Sequence, residues 1–433
     1  MNINMFIKLS LVIFFISLTP LFSQPISRNV PSSNYSLAGL INSAKENNIT
    51  LKQASLNYEM ARLRLSMDRT DYLPEVAVGV SRTESYTNIY FEGHQSSDRA
   101  YFDVSKTISL NDATYFRNQN SKHDLLTSQL AFQMEIQSLL FNIISNYIDV
   151  LTNQKRSNLR EEYITIQENI VNEVRILFRQ NTRTLFDVQQ AEINLLNAKI
   201  EALQAKNNLN DSRRRLFDLI NITDEGNELE EVSLYTSESA DTFHREIVLD
   251  QILEVQKHQV EVQKTKTNIT QTRLGLTPDL RLSYHYNRSL TSDDFSYHHG
   301  STDHTIALGL SYSFSNLFKT PQTIRQTKFL EEQSKLKTSQ LMNNIRLNFE
   351  KYFEELDYLA QRDVLLASRL QQTTENLEMG QQRFRLGLIT QLELDNITND
   401  NLEAQITKES NYYELILKKL NIDYLLSNEL WNQ

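Results

Sequence analysis

The sequence contains two related stretches, FRQNTRTLFDV at residues 178–188 and FRLGLITQLEL at residues 384–394, which lie 206 positions apart. A second pair, YLPEV at residues 72–76 and LTPDL at residues 276–280, lies 204 positions apart. Two pairs of matching stretches at nearly the same offset indicate a tandem duplication of about 200 residues. The duplication predicts that the two halves of the chain adopt the same fold.

Each half shows the same order of a helix, two strands and two further helices. The predicted organisation is a signal peptide at 1–23, a first repeat at 24–220, a linker at 221–242 and a second repeat at 243–433. The predicted strands are 75–86 and 99–110 in the first repeat, and 279–287 and 304–314 in the second.

The composition favours long helices. The chain of 433 residues has only 9 glycines and 6 prolines, and no proline lies between Pro74 and Pro278. Proline and glycine are the residues that interrupt helices, so their scarcity leaves room for helices of about 66 residues. The pattern predicts an unbroken first helix that starts at the N-cap Ser36, and a long helix that starts at Pro321 as its first residue.

The predicted strands alternate in character. In the last strand Ile306, Leu308 and Leu310 alternate with small or polar residues, which is typical of a strand with one apolar face. A transmembrane barrel and a soluble sandwich both show this alternation. Four strands are too few to close a barrel, whose smallest usual size is about eight strands, so the barrel interpretation requires an oligomer.

Composition also restricts the chemistry. The chain has no cysteine and a net charge of −10, which exclude disulfides and thiolate chemistry and make nucleic acid an unsuitable partner. No nucleophile constellation, phosphate-binding loop or metal-binding motif is present, so we expect no enzyme activity, no catalytic residue, no metal site and no cofactor.

The N-terminus has the features of an export signal. Lys8 precedes the apolar run LSLVIFFISLTPL at residues 9–21, whose length suits the core of a signal peptide. A membrane anchor is the alternative, but about 20 apolar residues are needed to span a bilayer.

The duplicated stretches resemble those of the TolC family of outer membrane efflux channels. The tip motif of that family is similar to residues 383–390, and its helix-to-strand signature to residues 71–74. The resemblance implies a mainly helical chain with four strands. Three copies of this chain would assemble into a homotrimer. The trimer would form a 12-strand barrel in outer membrane lipid and a helical tunnel in the periplasm.

The resemblance also implies partners. Channels of this family are passive ducts of tripartite efflux or type I secretion systems, and an adaptor protein and an inner membrane pump open them at the periplasmic tip. The predicted adaptor-docking residues at the tip are Asn181, Thr182, Leu386, Gly387, Leu388 and Ile389. Gly387 is expected to turn the chain in the left-handed conformation, with Asn181 at the matching position.

The predicted constriction and gate residues are Asp187, Glu393, Asn396 and Phe384. Asp187 and Glu393 would supply six carboxylates in a trimer, although stabilisation of helix N-termini is an equally physical role for them. The resemblance places Glu393 and Asn396 where the family has aspartates. Phe384 lacks the hydroxyl of the family's locking aromatic residue, and Ile389 replaces its locking arginine, so we expect no hydrogen-bonded lock.

Two other functions remain open from the sequence. A periplasmic coiled-coil scaffold would explain the helices but not four alternating strands at duplicated positions. An adaptor protein would carry glycine-rich β domains, which nine glycines do not support.

Overall fold

The computed structural model of the chain describes residues 35–86, 94–109, 113–231, 248–289 and 301–430. Seven α-helices and one four-stranded sheet form the regular structure of these residues. The predicted signal peptide and residues 232–242 of the predicted linker lie outside them.

The helices dominate the fold. They are α1 (Leu37–Asn47), α2 (Ile49–Thr70), α3 (Ala113–Arg179), α4 (Leu185–Ile220), α5 (Leu253–Leu274), α6 (Asn316–Arg385) and α7 (Gln391–Leu425). At a rise of 1.5 Å per residue, α3 with 67 residues and α6 with 70 are each about 100 Å long. Among the described residues, no helix combines the length and the apolar character that a membrane crossing requires.

The first predicted helix is interrupted at one residue, so the expectation of an unbroken helix is wrong. Asn48 has an extended backbone, and its side-chain oxygen accepts a hydrogen bond of 2.9 Å from the N–H of Leu51. Its side-chain nitrogen donates to the carbonyl of Leu219 in α4 at 2.9 Å. Asn48 therefore caps α2 and holds it against α4, while Ser36 caps α1 as expected.

The start of α6 also differs from the expectation. The helix begins at Asn316, so Pro321 lies inside it and is not its first residue. The first turn forms through short-range bonds, in which the N–H groups of Leu317 and Phe318 donate to carbonyls three residues earlier. The helix can start before Pro321 because the missing N–H of the proline removes only one hydrogen bond, close to the helix N-terminus.

The sheet is an antiparallel meander in chain order. Its strands are β1 (Glu75–Tyr86), β2 (His94–Ser109), β3 (Asp279–Ser289) and β4 (Ser301–Ser311). β2 is longer than predicted because it pairs with all of β1, from Ser105 opposite Glu75 to His94 opposite Tyr86. β4 begins and ends three residues earlier than predicted, because Ser311 pairs with the first residue of β3.

The register gathers the apolar side chains on one face of the sheet. Val78 lies opposite Phe102, and Leu282 lies opposite both Ile108 and Leu308. The other face carries small and polar residues such as Ser283. The apolar side chains are exposed, and among the described residues β1 and β4 each pair with one strand, so they are the free edges of the sheet.

The largest core cluster lies between α1, α3, α4 and α7, and Tyr147 is fully buried at its centre. The hydroxyl of Tyr147 donates to the carbonyl of Glu230 at 2.5 Å, and Tyr35 forms a parallel bridge with Leu229. The described part of the predicted linker is therefore tied to the helices by backbone groups.

Candidate functional site at the helix tip

The two turns between the long helices lie side by side. Residues 180–184 connect α3 to α4, and residues 386–390 connect α6 to α7. Directly behind the turns, one apolar cluster takes residues from all four helices. Its buried members are Ile170, Val171, Val174, Val188, Ala191, Phe384 and Leu394. We call these two turns and this cluster the tip.

Both turns have the same backbone geometry. Asn181 and Gly387 adopt the left-handed conformation, with φ of 55° and 72°. In each turn the N–H of the left-handed residue donates three residues back, and the next N–H donates five residues back. This is the Schellman motif, which satisfies the last carbonyls of a helix and reverses the chain. The expectation that Gly387 and Asn181 turn the chain is confirmed.

The two acidic residues of the predicted gate cap the helices that follow the turns. Thr184 and Asp187 form a capping box, in which the Asp187 carboxylate accepts from the N–H of Thr184 at 2.9 Å. Thr390 and Glu393 form the same box in α7, with the corresponding bond at 2.7 Å. The hydrogen bonds from the N–H and the hydroxyl of Thr390 lower the pKa of Glu393. Both residues thus stabilise helix N-termini, the second of the two roles considered for them.

Arg183 joins the two turns. Its Nη2 atom donates to the carbonyl of Ile389 at 2.7 Å, and its guanidinium carbon lies 4.4 Å from the centre of the Phe384 ring. Phe384 is only 1 % exposed, so its ring is buried within the tip. The absence of a hydrogen-bonded lock stays a prediction, and it considered only the side chain at position 389. In the structure the backbone carbonyl of Ile389 accepts the bond from the other turn.

Apolar side chains project from the end of the tip. Leu386 and Leu388 are 74 % and 69 % exposed, while Asn181 and Thr182 are also exposed and Ile389 is half-buried. Further exposed apolar side chains of the tip are Leu185, Phe186 and Leu392. Asn396 is exposed one turn into α7. The predicted docking residues therefore share one end of the chain.

A row of polar side chains on α7 joins it to α3 and α4. The members are Asp395, Asn399 and Glu403, which are spaced by four residues and so follow one face of the helix. Their bonds are Asp395 with Asn194, Asn399 with Tyr163, and Glu403 with Arg160. Arg160 also pairs with Glu201 of α4 at 2.6 Å. We call this row the polar ladder, and it ties α7 to the α3 and α4 pair along three successive turns.

Comparison with known proteins gives the identity of this architecture. A model of the family described as outer membrane efflux protein matches the chain twice, at residues 40–221 and 246–421. The chain belongs to this family. The match confirms the resemblance to TolC-like channels and establishes a channel role. No curated protein sequence matches the chain.

Solved structures of family channels share the fold. The outer-membrane channel OprN superposes with a TM-score of 0.81 at 15 % identity, over 91 % of this chain and 90 % of that one. CmeC of Campylobacter jejuni gives a TM-score of 0.77 at 15 % identity, over 92 % and 87 %. The open state of MtrE from Neisseria gonorrhoeae gives 0.79 at 16 % identity, over 91 % and 89 %. At such identities the likeness supports the mainly helical channel fold.

Sequence reasoning missed two residues of the tip. Arg183 occupies the position in the first turn that Ile389 occupies in the second, so the alignment of the two stretches already contained the signal. Asp395 lies two residues after Glu393 and gives no signal of its own burial, since a carboxylate on a helix is ordinarily exposed. Only packing against α4 shows that it is 4 % exposed.

The left-handed turn makes a direct prediction about Gly387. A Cβ atom at this position would meet no atom within 4 Å, so the cost of substitution arises from the backbone alone. We expect Gly387→Ala to lower the free energy of unfolding by about 1–2 kcal/mol. Gly387→Asn should cost clearly less, because Asn181 already adopts the same conformation in the other turn. Thermal unfolding of both variants checks this, and equal losses would contradict it.

Proposed function

We propose that the chain forms a homotrimeric, passive duct in the bacterial outer membrane, which an adaptor and an inner membrane pump open at the tip. Family membership supports the channel role. The trimer and its opening at the tip are supported by apolar surfaces that a single chain leaves exposed to solvent. The two family matches support a duplicated organisation, with repeats at 24–220 and 243–433 around a linker at 221–242. We also propose that the chain is not an enzyme, because members of this family are channels.

The sheet supplies the first such surface. Its apolar face would contact outer membrane lipid and its small, polar face would line the lumen. Three copies would give 12 strands and close the two free edges into a barrel. Aromatic residues Tyr72, Tyr115, Phe314 and Phe318 are exposed where the strands meet the helices. Aromatic side chains at that level are typical of the membrane–water interface.

The helices supply the second exposed surface. On α4, Val188, Ala191 and Ala198 are buried within the chain, whereas a separate row is 51–70 % exposed. The members of this row are Ile193, Leu196, Ile200 and Leu203. Their spacing of three and four residues is that of a coiled-coil seam. α2 carries a similar exposed row at Leu56, Met60, Leu63 and Met67. Such seams require a helical partner, and neighbouring copies in a trimer provide it.

The α4 row can be tested by substitution. We expect Leu196→Glu combined with Leu203→Glu to abolish the trimer, because carboxylates would be buried in the seam. The control is the pair Leu196→Met and Leu203→Met, which preserves apolar character and should keep the trimer. Native mass spectrometry gives the oligomeric state, and circular dichroism shows whether the helices persist. A trimer that persists with both glutamates would contradict the assignment.

The tip is the proposed docking surface for the adaptor. Leu386 and Leu388 project from it without contacts that would bury them. Exposed apolar side chains clustered at one end of a chain are typical of a protein interaction site. Asn181, Thr182, Gly387 and Ile389 would complete this surface, since they form the turns that carry the leucines.

The gate is proposed at the same end. In a trimer Asp187 and Glu393 would contribute six carboxylates, with Asn396 one turn above, and such rings favour cations. Phe384 would not line the pore. Its buried ring would support the closed tip by contact with the Arg183 guanidinium. Opening would then separate the two turns and widen the ring of carboxylates, while the pump supplies the energy.

Single-channel conductance in planar bilayers tests the function. We expect small, cation-selective steps from the purified chain, and lower cation selectivity after Asp187→Asn combined with Glu393→Gln. These amide substitutions remove charge but retain an oxygen for the capping boxes. Unchanged selectivity would remove the gate assignment and leave the duct. Folded protein that inserts into bilayers but never conducts would contradict the channel proposal.

Arg183 provides a separate test of how the tip stays closed. Arg183→Ala removes both the bond to the Ile389 carbonyl and the contact with Phe384, so we expect larger conductance steps. Arg183→Lys keeps the charge but loses the planar contact and should give an intermediate result. Thr182→Ala is the control, because within the described residues the Thr182 hydroxyl donates to the Leu177 carbonyl at the end of its own helix and not to the other turn. Conductance equal to that of the unmodified chain after Arg183→Ala would contradict this role.

The alternative functions have weaker support. A coiled-coil scaffold would not need a four-stranded sheet with one continuous apolar face. The adaptor alternative does not fit membership of the outer membrane efflux protein family.

A further inference from the structure

A carboxylate is buried where α7 meets α4 at the tip. Asp395 is 4 % exposed, and it accepts hydrogen bonds from the amide of Asn194 on α4 and from the amide of Gln391 at 2.9 Å. Gln190 donates to the Asn194 oxygen at 3.1 Å. The Gln391 side chain is itself buried, and its oxygen has no partner among the described residues. The buried carboxylate is thus held by neutral amides.

The charged groups on α3, α4, α6 and α7 closest in sequence to this junction pair with other residues or are exposed. Glu393 is held in its capping box, and Glu192 of α4 pairs with Arg175 of α3 at 2.6 Å. On α6, Arg385 pairs with Glu173 of α3 at 3.0 Å, and Arg383 is exposed. Arg160 of α3 lies two turns further along and is paired with Glu403 and Glu201. Among the residues that the structure describes, no cation pairs with Asp395.

Tyr163 of α3 is the titratable group that faces Asp395 through the polar ladder. Burial raises the pKa of its hydroxyl to about 12, so it stays neutral over the physiological range. Gln167 donates to that hydroxyl at 2.8 Å and is uncharged. Asp395 is therefore the group at this junction whose charge can change near neutral pH.

Burial has a defined effect on Asp395. Desolvation raises the pKa of its carboxyl to about 6, although the bonds from Gln391 and Asn194 oppose the shift. A hydrated aspartate has a pKa of 3.8. Because the folded pKa is the higher one, protonation favours the packed junction, and this stabilisation is lost as pH rises through about 6.

We propose that Asp395 makes the junction of α7 with α4 a pH-responsive latch, which holds the tip closed in acid and releases it toward neutral pH. The inference rests on the proposed opening of the tip, in which α7 moves away from α4 and water reaches Asp395. The bonds of Asn399 and Glu403 to α3, and the bond of Arg183 to the Ile389 carbonyl, also hold this end of the chain. The latch therefore adjusts the balance of closed and open tips and does not by itself open the channel.

The size of the effect follows from the two pKa values. If water reaches Asp395 fully in the open tip, the ratio of closed to open should fall about tenfold per protomer between pH 5 and pH 7.5. An amide at position 395 keeps the shape of the side chain and cannot ionise. Asp395→Asn should therefore abolish the change with pH.

Thiol labelling measures this without using conduction. The chain has no cysteine, so Ala191→Cys introduces a single thiol, buried in the tip cluster beside α7. The rate at which this thiol reacts with dithiodipyridine is measured at each pH. It is divided by the rate for Leu388→Cys, an exposed position that reports the intrinsic pH dependence of the reaction. We expect the normalised rate to rise about tenfold from pH 5 to pH 7.5 and to become flat with Asp395→Asn. A flat profile in the unmodified background, or an unchanged slope with Asp395→Asn, would overturn the proposal.

Two further variants make the result decisive. Glu192→Gln removes an exposed carboxylate of α4 that lies outside the proposed gate, and it should leave the slope unchanged. Asn194→Asp places a second carboxylate against Asp395, so the rise should move to higher pH. This variant also keeps the test available if Asp395→Asn does not fold.

If labelling responds to pH but the bilayer experiment shows no conduction, the channel proposal fails and the latch stands. If conduction is normal but labelling is flat, the latch fails alone.

Discussion

The fold depends on how two helices of about 100 Å reverse at the tip. Each reversal uses one left-handed residue and a capping box, so the last carbonyls of one helix and the first N–H groups of the next are satisfied within about five residues. Such a short turn keeps the two helices in contact from their ends onward. The short turns therefore set where α4 begins to pack on α3 and where α7 begins to pack on α6.

The contacts of α7 with α3 and α4 combine apolar packing with polar bonds. Apolar clusters hold the tip, but Asp395, Asn399 and Glu403 place polar bonds along the same junction. Polar contacts contribute less net stability than apolar burial, and they impose a definite register. A junction of this composition is specific in position and can separate at moderate cost, which suits an element proposed to move.

The exposed surfaces are consistent with an assembly larger than one chain. The apolar face of the sheet, its two free edges and the exposed row on α4 would each be unfavourable in an isolated chain in water. All three are explained when lipid covers the face and neighbouring copies cover the edges and the row. The trimer proposed here therefore has a physical basis in what a single chain leaves unburied.

The sequence by itself determined the two tip turns and the strand alternation, because these follow from local spacing and from residues such as Thr184, Thr390 and Gly387. It did not determine the break at Asn48, the start of α6 before Pro321 or the full length of β2. The break at Asn48 and the length of β2 depend on partners elsewhere in the chain, the Leu219 carbonyl and β1. The start of α6 depends on short-range bonds in its first turn. The tip shows the same division. Local pattern identified both turns, but only packing decided that Arg183 reaches the opposite turn and that Asp395 is buried, because both results require helices 200 residues apart to meet.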